Sequence, residues 1–334
     1  MKIIKSKKGV IFTFIAVIMV VVIGVLFSIE TSPPSRERSN VISNRVSIAD
    51  DYIKSLEYIY IQRALYTSSY RSLEALALYI NQTDFLANEQ DLNSKFKEIL
   101  LNGTVNKVKV DTTINRNLIA GVTFMDRLKE VENASRDFLR IKTNFTTDTS
   151  RINVSIYQDS TTGPFRVKVN ITYSYFVDAE LATWNRTVST TMDFSIVGID
   201  DPSYLVGDLN NLSHPIIISD VTAWDRFSVK TYIMNGMYRF ENKSSSFLMR
   251  FYNGKGASEC CGMQSIVPPA LTDIAGNKDR SYVDCDFISE FCVPVPTYEK
   301  YYNITGITNS TYHLRLDGYF MMRYNLSSYA VELP

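Results

Sequence analysis

The first strong feature of the chain is a run of 20 residues without a charged side chain, from Val10 to Ile29. At a helical rise of about 1.5 Å per residue, such a run reaches about 30 Å, the thickness of a bilayer core. It is longer than the apolar region of a secretory signal peptide, and Leu26-Phe27-Ser28 is a poor cleavage site. The run therefore predicts an uncleaved transmembrane helix at 10–29.

The residues on either side of this run predict its orientation. Segment 1–9 carries four lysines and no acidic residue, so the positive-inside rule places the N-terminus in the cytoplasm. Everything after Glu30 is then expected outside the cell. Pro33 and Pro34 cannot continue a helix, and they predict a short, fairly stiff linker at 30–38.

The charge balance argues against one class of partner. The whole chain has 35 basic and 35 acidic residues, and removal of the four N-terminal lysines leaves 31 against 35, a net charge of −4. A surface with this balance offers no basic patch for phosphates. We therefore expect the membrane as a partner and no nucleic acid.

Asparagines in Asn-x-Ser/Thr sequons are unusually frequent, and all of them follow the apolar run. Random placement of the 23 asparagines predicts roughly four sequons, whereas the chain has 12. Such an asparagine accepts a glycan only outside the cytoplasm, so the excess predicts an N-glycosylated ectodomain. The candidate acceptors are Asn81, Asn102, Asn133, Asn144, Asn153, Asn170, Asn185, Asn211, Asn242, Asn303, Asn309 and Asn325.

The hydrophobic pattern predicts helices first and strands later. Apolar residues recur at helical spacing over 39–80, with a small phase shift after Tyr60, and over about 91–101 and 114–141. Near residue 150 the period becomes two, which predicts an antiparallel meander with strands at about 152–156, 165–177 and 184–196. In these strands Asn153, Asn170 and Asn185 fall on the polar phase, so they are expected on one solvated face.

We therefore predict an α+β fold with an N-terminal transmembrane helix, and two external modules. The first, at 39–205, combines the helical region with the meander. The second, at 206–334, contains short apolar runs bounded by Gly, Asn or Ser and is expected to be β-rich. The apolar faces of the predicted helices carry tyrosines instead of Leu/Ile heptads. We therefore expect these faces to pack against the protein's own core in preference to forming a coiled-coil stalk.

Four cysteines lie in one window of the second module. Outside the cell, Cys260, Cys261, Cys285 and Cys292 are expected to form disulfides. A bridge between neighbours closes a strained eight-membered ring, so we expect Cys260 and Cys261 to pair with Cys285 and Cys292, in either combination. Loops of that size contribute about 3–4 kcal/mol in the loop-entropy model. A zinc site is the competing interpretation, but the C-x2-C spacing is missing.

The sequence contains no catalytic, cofactor or metal motif that we would assign. A hydrolase would have to use His214 or His313. Ser265 lacks the second glycine of a nucleophile elbow. We interpret Asp200, Asp201 and Glu132 as solvated acids, and we expect no enzyme activity.

Several segments resemble a known group of proteins. Lys7-Lys8-Gly9, followed by Val10-Ile11-Phe12-Thr13 and the apolar run, is similar to the class III signal of archaeal type IV pilin-like proteins, which a membrane peptidase cuts after the glycine. The segments 194–204, 246–250, 262–267 and 281–284 resemble recurrent blocks of uncharacterised archaeal membrane-anchored surface proteins. The resemblance implies an external, pilin-like or surface-layer-associated protein with Gly9 as a possible processing site.

Two departures from the pilin pattern bear on assembly. Phe14 stands at the position where many assembling pilins carry Glu, and Pro33-Pro34 interrupts the first helix. We therefore predict a single-pass cell-surface protein with a structural or adhesive role, which contacts other surface proteins or itself. The alternatives are a minor pilin-like subunit processed after Gly9, and a ligand-binding or sensor ectodomain.

Overall fold

The computed structural model describes residues 17–20, 34–206, 209, 212–254, 256–272, 281–288, 300–307 and 313–333. These residues form an α+β fold, as predicted. The predicted transmembrane helix at 10–29 lies outside the described residues except for 17–20, which are helical. None of the helices among the described residues combines the length and the apolar character needed to cross a bilayer.

The helices are short except near the N-terminus. They are α1 Pro34–Ser55, α2 Ile61–Gln82, α3 Glu89–Asn102, α4 Val110–Thr113, α5 Phe124–Ala134, α6 Pro202–Leu205, α7 Arg226–Met234, α8 Phe247–Arg250, α9 Pro269–Thr272, α10 Asp284–Phe287 and α11 Gly318–Arg323. Two π-helical turns, Leu56–Tyr60 and Ser135–Leu139, and two 3-10 turns, Thr149–Arg151 and Ser327–Tyr329, complete the helical structure of the described residues.

The strands of the described residues form four small sheets. They are β1 Thr104–Val105, β2 Val108–Lys109, β3 Lys142–Phe145, β4 Asn153–Tyr157, β5 Arg166–Asp178, β6 Thr183–Ser195, β7 Ile217–Ile218, β8 Met237–Phe240, β9 Met263–Gln264, β10 Tyr301–Ile304, β11 Leu314–Asp317 and β12 Ala330–Glu332. The sheet orders are β1-β2, β3-β5-β4 with β6 also paired to β5, β7-β8-β9, and β11-β10-β12.

Contacts divide the chain into two compact units. The first contains Met1–Leu65, Phe124–Asn153 and Ile171–Thr190, and the second contains Tyr66–Thr123, Val154–Asn170 and Thr191–Pro334. This division differs from the expected boundary between residues 205 and 206.

The predicted N-terminal helices are largely confirmed, but α1 begins at Pro34, so the predicted linker at 30–38 is wrong over 34–38. Proline is tolerated in the first turn of a helix, because its missing N–H would have no helical partner there. Helices α1 and α2 cover the 39–80 region, and the π-helical turn at 56–60 lies just before the point where the apolar stripe changes phase. A π-turn accommodates one more residue per turn than an α-helix, which explains such a shift. Helix α3 begins at the Asn88 cap, whose side chain accepts the N–H of Asp91, and ends at Gly103 with φ +70°.

The predicted helix at 114–141 is wrong in its first ten residues. The carboxylate of Asp111 accepts the N–H groups of Leu118, Ile119 and Ala120, and it holds this segment as turns. Helix α5 then begins at Phe124, and Leu128 and Val131 are buried on one face of it. Phe138 does not share that buried face, because it lies in the second π-helical turn and is 56% exposed.

The predicted meander is confirmed as strands β4, β5 and β6. In β5, buried residues alternate with partly exposed ones over almost the whole strand. Strand β3 was not predicted, and it pairs antiparallel with the C-terminal end of β5 through Thr143↔Val177 and Asn144↔Phe176. Since β3 spans only four residues, its periodicity was too short to recognise.

The core of the first unit contains helix and strand residues together. Ala49, Ile53 and Leu56 are buried on the helical side. The ring of Tyr173 packs against Phe124 and Phe145, with centroids 6.2 and 6.3 Å apart. These aromatic contacts join helix α5 to strands β3 and β5 within this unit.

The segment 206–334 is less β-rich than expected. Two of its short apolar runs form helices instead of strands: 227–233 lies in helix α7, and 247–252 begins with helix α8. Each follows a residue whose side chain accepts an N–H of the first helical turn, Asp225 before α7 and Ser246 before α8. These caps satisfy N–H groups that a strand would leave for sheet partners, and they favour helix at both sites.

Candidate functional site

Ten of the twelve sequon asparagines lie among the described residues, and none of these ten is buried. Asn211 and Asn309 lie outside the described residues. Seven are exposed: Asn102, Asn133, Asn144, Asn153, Asn185, Asn242 and Asn325. Asn81, Asn170 and Asn303 are half-buried. Every described candidate acceptor therefore reaches the surface at least in part.

The asparagines in strands show this exposure most clearly, because they stand between buried residues. Asn144 stands between buried Thr143 and Phe145, and Asn170 stands between buried Val169 and Ile171. The Nδ2 of Asn170 donates to Thr191 Oγ1 at 2.8 Å, which places this side chain on the polar face of its strand. Because side chains alternate between the two faces of a strand, each asparagine points away from the core that its two buried neighbours face.

The expected pairing of the cysteines is wrong. Cys260 is bonded to Cys261, the next residue in the chain. The bond lies in the turn 259–261, where the N–H of Gly262 donates to Ser258 O at 3.1 Å and reverses the chain. Cys285 is also disulfide-bonded. Cys292 lies outside the described residues.

The most unusual polar feature is a fully buried ion cluster in the second unit. Its charged members are Asp201, Arg250 and Asp284, each with 0% exposure. They come from three short helices: Asp201 caps α6 and accepts the N–H of Ser203, Arg250 ends α8, and Asp284 begins α10. The interpretation of Asp201 as a solvated acid is therefore wrong.

Arg250 holds the two carboxylates together. Its Nη1 lies 2.5 Å from Asp201 Oδ2 and 2.8 Å from Asp284 Oδ2, and its Nη2 donates to Met263 O. Burial disfavours the charged guanidinium, but the attraction of the two carboxylates is stronger, and the pKa of Arg250 is raised. Burial raises the pKa of the Asp284 carboxyl more than Arg250 lowers it.

A hydrogen-bonded chain extends from the cluster to His214. The hydroxyl of Tyr238 donates to Asp201 Oδ2 at 2.8 Å and lies 2.8 Å from His214 Nδ1. Since the single hydroxyl proton is given to the carboxylate, His214 Nδ1 carries a hydrogen and donates to the Tyr238 oxygen. Burial, together with Asp201, raises the pKa of Tyr238 well above its usual value, so this proton is retained.

His214 is held as a neutral imidazole. Its ring stacks on Tyr204 with centroids 4.0 Å apart, and burial lowers its pKa. The remaining nitrogen, Nε2, is a buried acceptor that has no hydrogen-bond partner among the described residues. A Cβ atom on Gly236 would lie 2.9 Å from Nε2, so the backbone of Gly236 covers this atom.

This arrangement can hold a proton at Nδ1 and an uncharged base at Nε2, but Gly236 separates that base from a substrate. The other histidine, His313, is exposed and lies just before β11. The hydroxyl of Ser265 donates to Met237 O at 2.8 Å. The geometry therefore supports a role for the cluster in packing the second unit.

The other acids considered from the sequence have local partners. Asp200 accepts the hydroxyl of Ser213, and Glu132 accepts the N–H of Phe145. Within the part of the chain that the structure describes, no three His, Cys, Asp or Glu residues form a group that could hold a metal ion.

A second polar group lies nearer the surface of the same unit. Glu241 Oε2 accepts Arg239 Nη2 at 2.9 Å and Arg323 Nε at 3.0 Å. Arg239 also lies over the rings of Trp224 and Tyr324, 5.2 and 4.7 Å from their centroids. These cation–π contacts fix the Trp224 ring beside Tyr324.

Sequence reasoning missed the ion cluster because Arg250 lies 49 residues after Asp201 and 34 residues before Asp284 in the chain. One local signal was present: Asp201-Pro202-Ser203 is a capping residue followed by proline, which marks a helix start.

No protein-family model, curated protein or solved structure matches the chain.

Proposed function

We propose that the chain is a single-pass, membrane-anchored and N-glycosylated cell-surface protein with a structural or adhesive role. The observation that carries this proposal is that none of the ten described sequon asparagines is buried, including those between buried residues in strands. Glycosylation needs such exposure, and it needs a location outside the cytoplasm. The apolar run at 10–29, with lysines before it, supplies the anchor and its orientation.

The buried ion cluster supports a structural role. Three charged side chains without solvent exposure, and a histidine base covered by backbone, are suited to holding a fold in one arrangement. A catalytic group has to reach its substrate within hydrogen-bond distance. His214 Nε2 is covered by Gly236, so we propose a surface protein in preference to a hydrolase.

Protease treatment of intact cells tests the topology. We expect an added protease to release peptides from residues after Glu30 while segment 1–9 stays protected. Protection of the whole chain would contradict the proposal. The matched control is the same digestion after the membrane has been permeabilised, which should expose segment 1–9 as well.

Mass spectrometry of glycopeptides from the same cells tests the modification. We expect glycans on several of the exposed acceptors, such as Asn102, Asn153 and Asn185. Twelve unmodified sequons would contradict the proposal. The N-terminal peptide in the same spectrum shows whether the mature chain begins after Gly9.

A further inference from the structure

The sequon asparagine Asn325 lies beside a group of aromatic side chains at the surface of the second unit. Its backbone is in the left-handed region, with φ +54°, and its side chain is exposed. Its Nδ2 atom lies 3.4 Å from the carbonyl oxygen of Trp224. Since Nδ2 is the atom to which an N-glycan is attached, the first sugar starts next to the backbone carbonyl of Trp224.

The residues that follow Trp224 present an apolar surface that the described residues leave exposed. Phe227 is 70% exposed, among the highest values for a large apolar side chain in the described residues. Arg226 lies between two rings, with Cζ 5.1 Å from the centroid of Phe227 and 5.1 Å from that of Tyr329. Tyr329 is half-buried and stands four residues after Asn325.

These contacts place two chain segments side by side around the acceptor atom. Trp224 packs against Tyr324 with centroids 4.8 Å apart, and Arg226 contacts Tyr329. Asn325 therefore lies on the line where 224–227 and 324–329 meet. A group attached to its Nδ2 therefore begins where the two segments meet.

The chemistry of a sugar fits such a surface. A pyranose ring has C–H groups on its faces and hydroxyls at its edge, so a face can pack on an aromatic ring while the hydroxyls stay in water. The arginine between the two rings offers N–H donors to those hydroxyls. An attached sugar also binds without the entropy cost of bringing two molecules together.

We infer that the N-glycan on Asn325 packs against the aromatic surface formed by Trp224, Phe227 and Tyr329, and thereby holds 224–227 against 324–329. This inference rests on the proposed N-glycosylation of the chain. It assigns to this one glycan a stabilising contact that an ordinary surface glycan lacks.

Thermal unfolding of the full chain, isolated from its native host in detergent, tests the inference. Ser327→Ala removes the sequon but keeps Asn325, and Phe227→Ala removes the most exposed ring but keeps the sequon. We expect each change to lower the unfolding midpoint by about 2–4 °C. We expect the double variant to lose little more than either single variant, because the glycan and the ring act together.

Two controls separate the effect of the glycan from the effect of the serine substitution itself. In protein made without the oligosaccharyltransferase, Ser327→Ala should leave the midpoint unchanged. Ser155→Ala, which removes the exposed Asn153 sequon, should also leave it unchanged in the glycosylated protein. If the unfolding midpoint of the double variant fell by the sum of the two single-variant losses, the inference would be overturned.

Glycopeptide mass spectrometry separates the two levels of failure. An unmodified Asn325 in a chain with glycans at other sequons would overturn this inference and leave the proposed function intact. A chain without any N-glycan would overturn both.

Discussion

Arg250 and Asp201 form an ion pair in which neither side chain has any solvent exposure, with 2.5 Å between Nη1 and Oδ2. A buried charge of this kind has lost its hydration and is stabilised by its partner instead. Removal of the partner therefore leaves an uncompensated charge in the interior. Asp284 depends on the same guanidinium at 2.8 Å. Arg250 is therefore the residue on which two buried carboxylates rely.

Replacement of Arg250 by Met should destabilise the protein by about 3–5 kcal/mol, because both carboxylates then lack their counter-charge. The free energy of unfolding from urea titration measures this loss. Arg166→Met is the matched control: Arg166 pairs with Asp193 at 2.6 Å, but the two side chains are 46% and 47% exposed. That change should cost less than about 1 kcal/mol, and equal losses in the two variants would contradict a special role for Arg250.

The stability of the protein should fall as the pH falls through about 6.5, because of His214. Burial lowers its pKa in the folded state, so the unfolded chain binds the proton more readily. The stabilisation is complete above the unfolded-state pKa and is lost toward the lower folded-state pKa. His214→Asn keeps an N–H donor near Tyr238 but does not titrate, and it should flatten this part of the stability–pH curve.

His313→Asn is the control for the pH experiment, because His313 is exposed. That variant should keep the slope of the wild-type curve. If His313→Asn flattened the curve and His214→Asn did not, the buried histidine would not be the titrating group.

Gly262→Ala should destabilise the second unit by about 2 kcal/mol or more, because an added Cβ meets backbone atoms that cannot move separately. That Cβ would lie 2.2 Å from Glu241 O and 2.4 Å from Ser244 O. Gly121 provides a control: a Cβ there meets nothing within 4 Å, although φ is +71°. Gly121→Ala should cost about 1 kcal/mol from the backbone alone, and a similar loss at Gly262 would contradict the close packing.

Peptide mapping without reduction should recover Cys260 and Cys261 in one peptide that lacks the mass of two hydrogens and carries no attached second peptide. Reduction should restore those hydrogens. A peptide containing Cys260 or Cys261 linked to one containing Cys285 would show that the pairing first expected from the sequence is present.

Local patterns predicted the elements that local interactions form. Helix α3 could be recognised because its apolar residues recur at helical spacing, and β5 because alternation continues for 13 residues. The segment at 114–123 could not, because its conformation depends on a carboxylate several residues earlier, that of Asp111. The helices at 226–234 and 247–250 have apolar runs too short to distinguish from strands.

The ion cluster could not be predicted because nothing near Asp201 in the sequence identifies Arg250 as its partner. Burial of an acid becomes favourable only when the fold brings a cation to it, and here the cation is 49 residues away. By contrast, the exposure of Asn153 and Asn185 and the partial exposure of Asn170 followed from strand alternation alone.

Because Cys260 is bonded to Cys261, these two cysteines are weaker evidence for an oxidising compartment than a disulfide that closes a long loop would be. A link between adjacent residues encloses almost no chain, so it removes hardly any of the freedom of the unfolded state. Its reduction should therefore leave the fold of the second unit largely intact, even in a compartment rich in thiols. This cystine then gives little indication of the compartment in which the protein folds, whereas the sequons, the apolar run and the disulfide bond of Cys285 support the proposed external location.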